Sequence, residues 1–257
     1  MTAASFFHDG FDLAYLDEPS ATGTGEPILL IHGFASSIAA NWIAPGWVKT
    51  LTEAGYRTIA IDNRGHGRSS KSYEAADYTP QKMASDAAAL LDHLGIERAH
   101  VMGYSMGARV AAFTALAFPD KVATLILGGL GIGMVDGVGD WDPIAEALVV
   151  EDPNSITHAR GKMFRDFADR TRSDRRALAA CISTSRELLS EADASRITQP
   201  TLVAVGTTDD IAGSAAELVA LMPNAVALDI EGRDHMLAVG DRAFKKRALE
   251  FLAEHPL

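Results

Sequence analysis

Short apolar runs alternate with helical patterning through the first half of the chain. Residues 27–31 read PILLI and stop at His32-Gly33, and residues 56–61 read YRTIAI and stop at Asp62. Residues 100–102 form a short apolar segment ending at Gly103, and residues 121–127 read KVATLIL before a pair of glycines. Near-continuous apolar runs of this size suit strands covered on both faces, as in a parallel sheet. Between them, helical spacing predicts helices over 47–54, 80–94 and 106–118. Thr79-Pro80 supplies an N-cap followed by proline at the first helical position, and Gly95 supplies a stop. From about 131 to 199 no strand pattern is present; WDPIAEALVV, SITHARGKMFRDFADR, SDRRALAACIS and SRELLSEADA are helical text. Alternation returns with a strand at 201–205, a helix at 214–221, a strand at 225–230 and a closing helix at 241–253. This order predicts an α/β fold with right-handed crossovers: a single core from residues 1–130 and 200–257, with 131–199 as an inserted helical cap.

Composition narrows the function classes. The chain has 257 residues, 47% hydrophobic and 22% charged, which excludes a disordered chain, a collagen or a long coiled coil. Its 23 Lys and Arg against 34 Asp and Glu leave a formal net charge of −11. That balance disfavours nucleic acid and anionic membrane surfaces as partners. The first twenty residues have no basic n-region followed by an apolar h-region, so no secretory signal is expected. The apolar stretch 122–135 is too short and too rich in glycine for a spanning helix. A single cysteine, Cys181, forms no internal disulfide, and the cytoplasm is the expected compartment. No H-E-x-x-H, paired cysteines or G-x-x-x-x-G-K-[ST] loop is present, and the GGLGIG at 128–133 lacks the remainder of a dinucleotide fingerprint. The expected partner is a small-molecule substrate, with no metal and no cofactor; a homo-oligomer is left open.

The strongest chemical motif is Gly103-Tyr104-Ser105-Met106-Gly107, which follows a short strand and opens an alanine-rich helix. A tight strand-to-helix turn needs glycines where backbones approach closely, and it holds the serine hydroxyl above the sheet. The N–H groups at the helix start can stabilise a developing oxyanion. In this context the chain resembles the α/β-hydrolase family over almost its whole length, with 131–199 in the position of the variable cap after the sixth strand. His32-Gly33-Phe34 stands in the place of the family's oxyanion loop, and Asp62–Ser69, DNRGHGRS, resembles its D-x-R-G-H-G-x-S segment. The resemblance implies a mostly parallel central sheet flanked by helices, and a Ser, acid, His order along the chain. It puts the nucleophile at Ser105, the base at His235 and the acid at Asp209, with the backbone N–H groups of Phe34 and Met106 as the oxyanion hole.

Rivals exist for each role. His32 and His66 also sit in loops near that sheet edge, where His32 reads as support for the oxyanion loop and His66 as a brace of the 64–69 turn. Asp210 adjoins Asp209, and Asp136 is the nearest acid after the sixth strand. Arg64 is expected to pair with Asp62 or a nearby carbonyl. Arg109, four residues after Ser105, reads mainly as paired with a surface acid, although Tyr104 and Arg109 loosely resemble a stretch of the lyase SHCHC synthase. The arginines of 131–199 read as a solvated face. Trp42, Trp47, Trp141, Met134 and Met163 are candidates for an apolar pocket under the cap, and Cys181 reads as a small buried residue.

The expected function is a cofactor-independent serine hydrolase that cleaves a small carboxylic ester, thioester or lactone through an acyl-enzyme on Ser105. A carbon–carbon bond hydrolase or an SHCHC-synthase-like lyase using the same triad is the first alternative. A non-catalytic ligand-binding protein on this scaffold is the second.

Overall fold

The computed structural model describes residues 4–23 and 25–257; the first three residues of the amino-terminal stretch lie outside the described residues. The chain opens with an antiparallel pair, β1 (Ala4–His8) and β2 (Phe11–Glu18). Then follow β3 (Pro27–Ile31), α1 (Trp47–Glu53), β4 (Arg57–Ile61), α2 (Pro80–His93), β5 (Ala99–Tyr104), α3 (Met106–Ala117) and β6 (Val122–Gly128). Five helices intervene before the next strand: α4 (Gly133–Asp136), α5 (Asp142–Val149), α6 (Ala159–Thr171), α7 (Arg175–Thr184) and α8 (Glu191–Arg196). β7 (Thr201–Gly206), α9 (Ala215–Leu221), β8 (Ala225–Ile230) and α10 (Arg242–Glu254) complete the chain.

The eight strands form one sheet in the order β1-β2-β4-β3-β5-β6-β7-β8, parallel from β4 onward, with the β1–β2 pair antiparallel at one edge. The central strands β5 and β6 are buried at every position, because helices cover both faces. On one face α2 and α3 pack Leu90, Leu91, Val110 and Ala111 against Leu29, Val101 and Leu125. On the other, α1 and α10 pack Trp47, Leu51, Phe244 and Phe251 against Leu30, Met102 and Ile126. The order reverses between β3 and β5, and open α/β sheets place their sites at the carboxyl ends of strands beside such a reversal.

The sequence-predicted strands and core helices are present, with ends differing by a residue or two; between β6 and β7, α6 starts four residues after the helical text at 155, and residues 185–190 are not helical, so α8 covers only Glu191–Arg196. The β1–β2 hairpin was absent from the sequence reading. It turns at Asp9-Gly10, both at positive φ (46° and 83°), the conformation that an Asp-Gly hairpin turn favours. Among the described residues no helix is long and apolar enough to cross a membrane.

Candidate active site

The end of β5 runs directly into α3 through Ser105, which holds φ 55° and ψ −117°. A left-handed serine costs roughly 1–3 kcal/mol and persists only where its surroundings hold it. Here the Ser105 N–H donates to Gly128 O of β6 at 2.8 Å. A methyl at Gly103 would strike the Gly107 carbonyl, and one at Gly107 would strike the Ile31 carbonyl. The two glycines are therefore what lets the helix start against the sheet and push the serine outward.

His235 follows β8, and its Nε2 lies 3.0 Å from Ser105 Oγ. Its Nδ1–H donates to Asp209 Oδ2 at 2.8 Å. Asp209 follows β7, its carboxylate fully buried, and Oδ1 accepts the N–H groups of Ile211 and Ala212 at 2.9 and 3.0 Å. With one oxygen pinned by backbone, the other has a fixed aim at the imidazole. The Tyr104 hydroxyl donates to His235 O at 2.7 Å and anchors the histidine loop from the elbow side. The sequence reading did not assign this role to Tyr104, and no sequence pattern marks it.

The Phe34 and Met106 N–H groups have no acceptor among the described residues. The loop carrying Phe34 is bent by Ala35, another non-glycine at positive φ (57°). It is held by the Gly33 N–H donating to Asn41 Oδ1 at 3.0 Å. A Cβ on Gly33 would lie 3.2 Å from Tyr104 O, so the small residue lets the loop approach the elbow.

The rivals fall elsewhere. Asp210 is 81% exposed and pairs with Arg160, while Asp136 is exposed at the end of α4 and makes no hydrogen bond to His235. His32 donates from Nδ1 to Gly33 O at 2.8 Å and accepts the Asn63 N–H at Nε2, bracing the oxyanion loop. His66 donates to Arg64 O, and burial pushes its imidazole down to about 3. The Cys181 thiol is buried in α7 against Met106, and burial pushes it up to about 12. Among the described residues no group of three or more His, Cys, Asp or Glu is arranged to hold a metal ion.

The family model for the alpha/beta hydrolase fold matches residues 26–178, a span that includes Phe34, Ser105 and Met106. The chain belongs to the alpha/beta hydrolase fold family. It is 32% identical over 166 residues to a protein of Mycobacterium tuberculosis named as a non-heme bromoperoxidase, covering 63% of this chain and 60% of that one. It is 39% identical over 119 residues to a 2-hydroxy-6-oxononadienedioate/2-hydroxy-6-oxononatrienedioate hydrolase of Burkholderia vietnamiensis, covering 44% and 39%. The chain thus spans less than two thirds of either curated relative. A solved hydrolase from Pseudomonas aeruginosa superposes with a TM-score of 0.79 at 26% identity, covering 97% of this chain and 98% of that one.

Several expectations about this alpha/beta hydrolase need correction. Arg109 pairs with no surface acid. It is 5% exposed, and it donates from Nη1 to Met134 O at 2.9 Å and Glu187 O at 2.7 Å, and from Nη2 to Gly133 O at 3.4 Å. Of the two expected partners Arg64 meets a nearby carbonyl, donating from Nη1 to Asp77 O at 3.0 Å, and not Asp62; it also binds Asp86 in two parallel bonds of 2.7 and 2.6 Å, while Asp62 accepts the N–H groups of Ile38 and Arg68. Trp42 and Trp47 are fully buried in the core on the α1–α10 face, and Met134 is fully buried; Trp141 and Met163 do line cavities at the site. Arg165 is buried, donating to Ala147 O and Val150 O, so it staples α6 to α5 rather than facing water.

Proposed function

We propose that this chain is a serine hydrolase acting on a small carboxylic ester, thioester or lactone, with Ser105, His235 and Asp209 as its triad. The observation that carries this reading is the hydrogen-bonded chain from Ser105 Oγ through the imidazole to a buried, backbone-pinned carboxylate. A serine hydroxyl is a weak nucleophile at neutral pH and needs such an oriented base. His235 Nε2 takes the proton as Ser105 Oγ bonds to the carbonyl carbon. The unpaired N–H groups of Phe34 and Met106 receive the oxyanion. His235 then gives its proton to the leaving oxygen as the carbon–oxygen bond breaks. Water adds to the acyl-enzyme by the reverse proton route, releasing the acid and restoring Ser105. Each step uses groups of the chain and water alone. The helices between β6 and β7 act in this reading as a cap, because α7 and Trp141 wall one cavity and α6 the other, each together with the β5–α3 elbow.

A carbon–carbon hydrolase with the same triad is the second reading, favoured by the Burkholderia relative's name. An aspartate-nucleophile epoxide hydrolase is disfavoured by the serine at position 105. The test is hydrolysis of p-nitrophenyl acetate, butyrate and octanoate by wild type and Ser105→Ala, with a fluorophosphonate label mapped by mass. Turnover lost in the variant, with the label on Ser105, is expected. A labelled serine without ester turnover favours carbon–carbon chemistry. Neither label nor turnover in a folded protein overturns the triad reading and leaves a binding protein.

A further inference from the structure

Two cavities meet at Ser105, and their walls differ in chemistry. One, of about 540 Å³, is lined largely by apolar side chains such as Leu130, Trp141 and Ile182, and adds to them Arg109, Arg186 and a group of hydroxyls between the elbow helix and α7. The other, of about 350 Å³, is walled mainly by Met163, Phe164 and Phe167, with Ser36, Asn41 and Tyr104 among them, and of the two it alone contains His235. Its one cation, Arg170, is exposed at the rim.

The position of His235 assigns the cavities to the two halves of a substrate. The general acid must reach the leaving-group atom, so that atom lies on the side of the cavity that holds the imidazole. The acyl chain is left the other cavity. We propose, building on the serine-hydrolase reading, that the 540 Å³ cavity takes an acyl chain bearing a carboxylate and the 350 Å³ cavity an apolar alcohol. The preferred substrate is then a monoester of a dicarboxylic acid.

Arg109 supplies the main argument. Three of its five N–H groups go to the backbone carbonyls of Gly133, Met134 and Glu187; Nε–H and one Nη2–H have no acceptor among the described residues. Those carbonyls fix the guanidinium without neutralising it, so a full positive charge stands in the wall of a cavity beside the nucleophile. Arg186 stands near it, anchored through Nε to Ile182 O at 2.7 Å and only loosely to the exposed Asp142 at 3.4 Å. Burial, with the repulsion of Arg186, pushes the Arg109 guanidinium down to about 10. An anion between the two relieves both costs. The one acid in this wall, Glu187, raises Arg109 against those two causes, and its carboxylate accepts the Gln81 amide at 2.7 Å.

The reaction balances as ester plus water. The Ser105 Oγ–acyl bond forms while the bond to the alcohol oxygen breaks. The serine proton travels through His235 to the alcohol, and water then supplies the hydroxyl of the released dicarboxylate and the proton returned to Ser105.

The test compares phenyl pentanoate, phenyl hydrogen glutarate and 4-(pentanoyloxy)benzoate, which carry no charge, an acyl-side carboxylate and an alcohol-side carboxylate. Rates are divided by each ester's alkaline hydrolysis rate. The glutarate ester should exceed the pentanoate in kcat/KM by roughly tenfold or more, as one charge-assisted pair implies, and the benzoate should fall below it. Arg186→Gln and Arg109→Lys should each collapse the glutarate-to-pentanoate ratio; Arg186→Gln keeps the test open if the buried position tolerates no change. Ser105-dependent turnover that favours the benzoate, or ignores the carboxylate, overturns this assignment and leaves the serine-hydrolase reading standing. No turnover of any ester, with no labelling of Ser105, overturns both.

Discussion

Two consecutive aspartates show how position within one turn decides chemistry. Asp209 faces inward with both oxygens engaged, while Asp210 faces outward beside Arg160. Under the proposed triad, Asp209→Asn replaces an acceptor with a group that disfavours the imidazole tautomer the reaction needs, so kcat for ester hydrolysis should fall by about 10⁴. Asp210→Asn removes a surface pair and should leave kcat within about twofold. Equal losses in the two variants, measured under saturating ester, would reverse the assignment. The residue types that sequence motifs mark were legible here: a serine between two glycines, and a histidine and an acid after late strands. Arg109 was not. Helical spacing places its Cα on a face, but only the carbonyls of Gly133, Met134 and Glu187, brought in from another part of the chain, decide where the guanidinium stops. Trp42 and Trp47 were misplaced for the same reason, since an aromatic that lines a pocket and one that fills a core look alike in text.

At the scale of elements, continuous apolar strands were read almost to the residue, because burial on both faces leaves no polar alternative. The edge hairpin was not, although FFH-DG-FDL carries its signal. Phe11, Leu13 and Tyr15 face one layer and Ala14 and Leu16 the other, but exposed Asp12 interrupts the run, a pattern weaker than that of a central strand. The loop after β4 carries a different consequence. His66 is buried neutral with its imidazole held at about 3, against an ordinary value of 6.5. The unfolded chain takes up that proton below about pH 6.5 and the folded chain does not until about pH 3. The folded state is therefore at its best above pH 6.5 and loses stability as pH falls toward 3, by about 1.4 kcal/mol per unit for this group. Burial also lowers His32 and His100, which adds to the slope. Between pH 7 and pH 5, His66→Gln should lose about 2 kcal/mol less than wild type in urea unfolding. Equal losses would mean that His66 is protonated in the folded state.

At the scale of the whole molecule, a sheet edge, an elbow helix and a set of intervening helices enclose two spaces that share one serine. Their placement follows from topology: the site lies where strand order reverses, and the helices between β6 and β7 have nowhere to pack but above it. In the proposed reaction, once the alcohol has left, the acyl group still fills its own cavity, so the second nucleophile must approach through the vacated space beside His235. That space is walled mainly by phenylalanine and methionine, a surface that favours short alcohols over water. Acyl groups should therefore partition toward alcohols as well as water. With methanol or 1-butanol added to a working enzyme, the new ester should form in larger proportion than the alcohol's molar share of the solvent, with butanol ahead of methanol. Product ratios that merely follow molarity would mean the vacated space exerts no choice over what enters it.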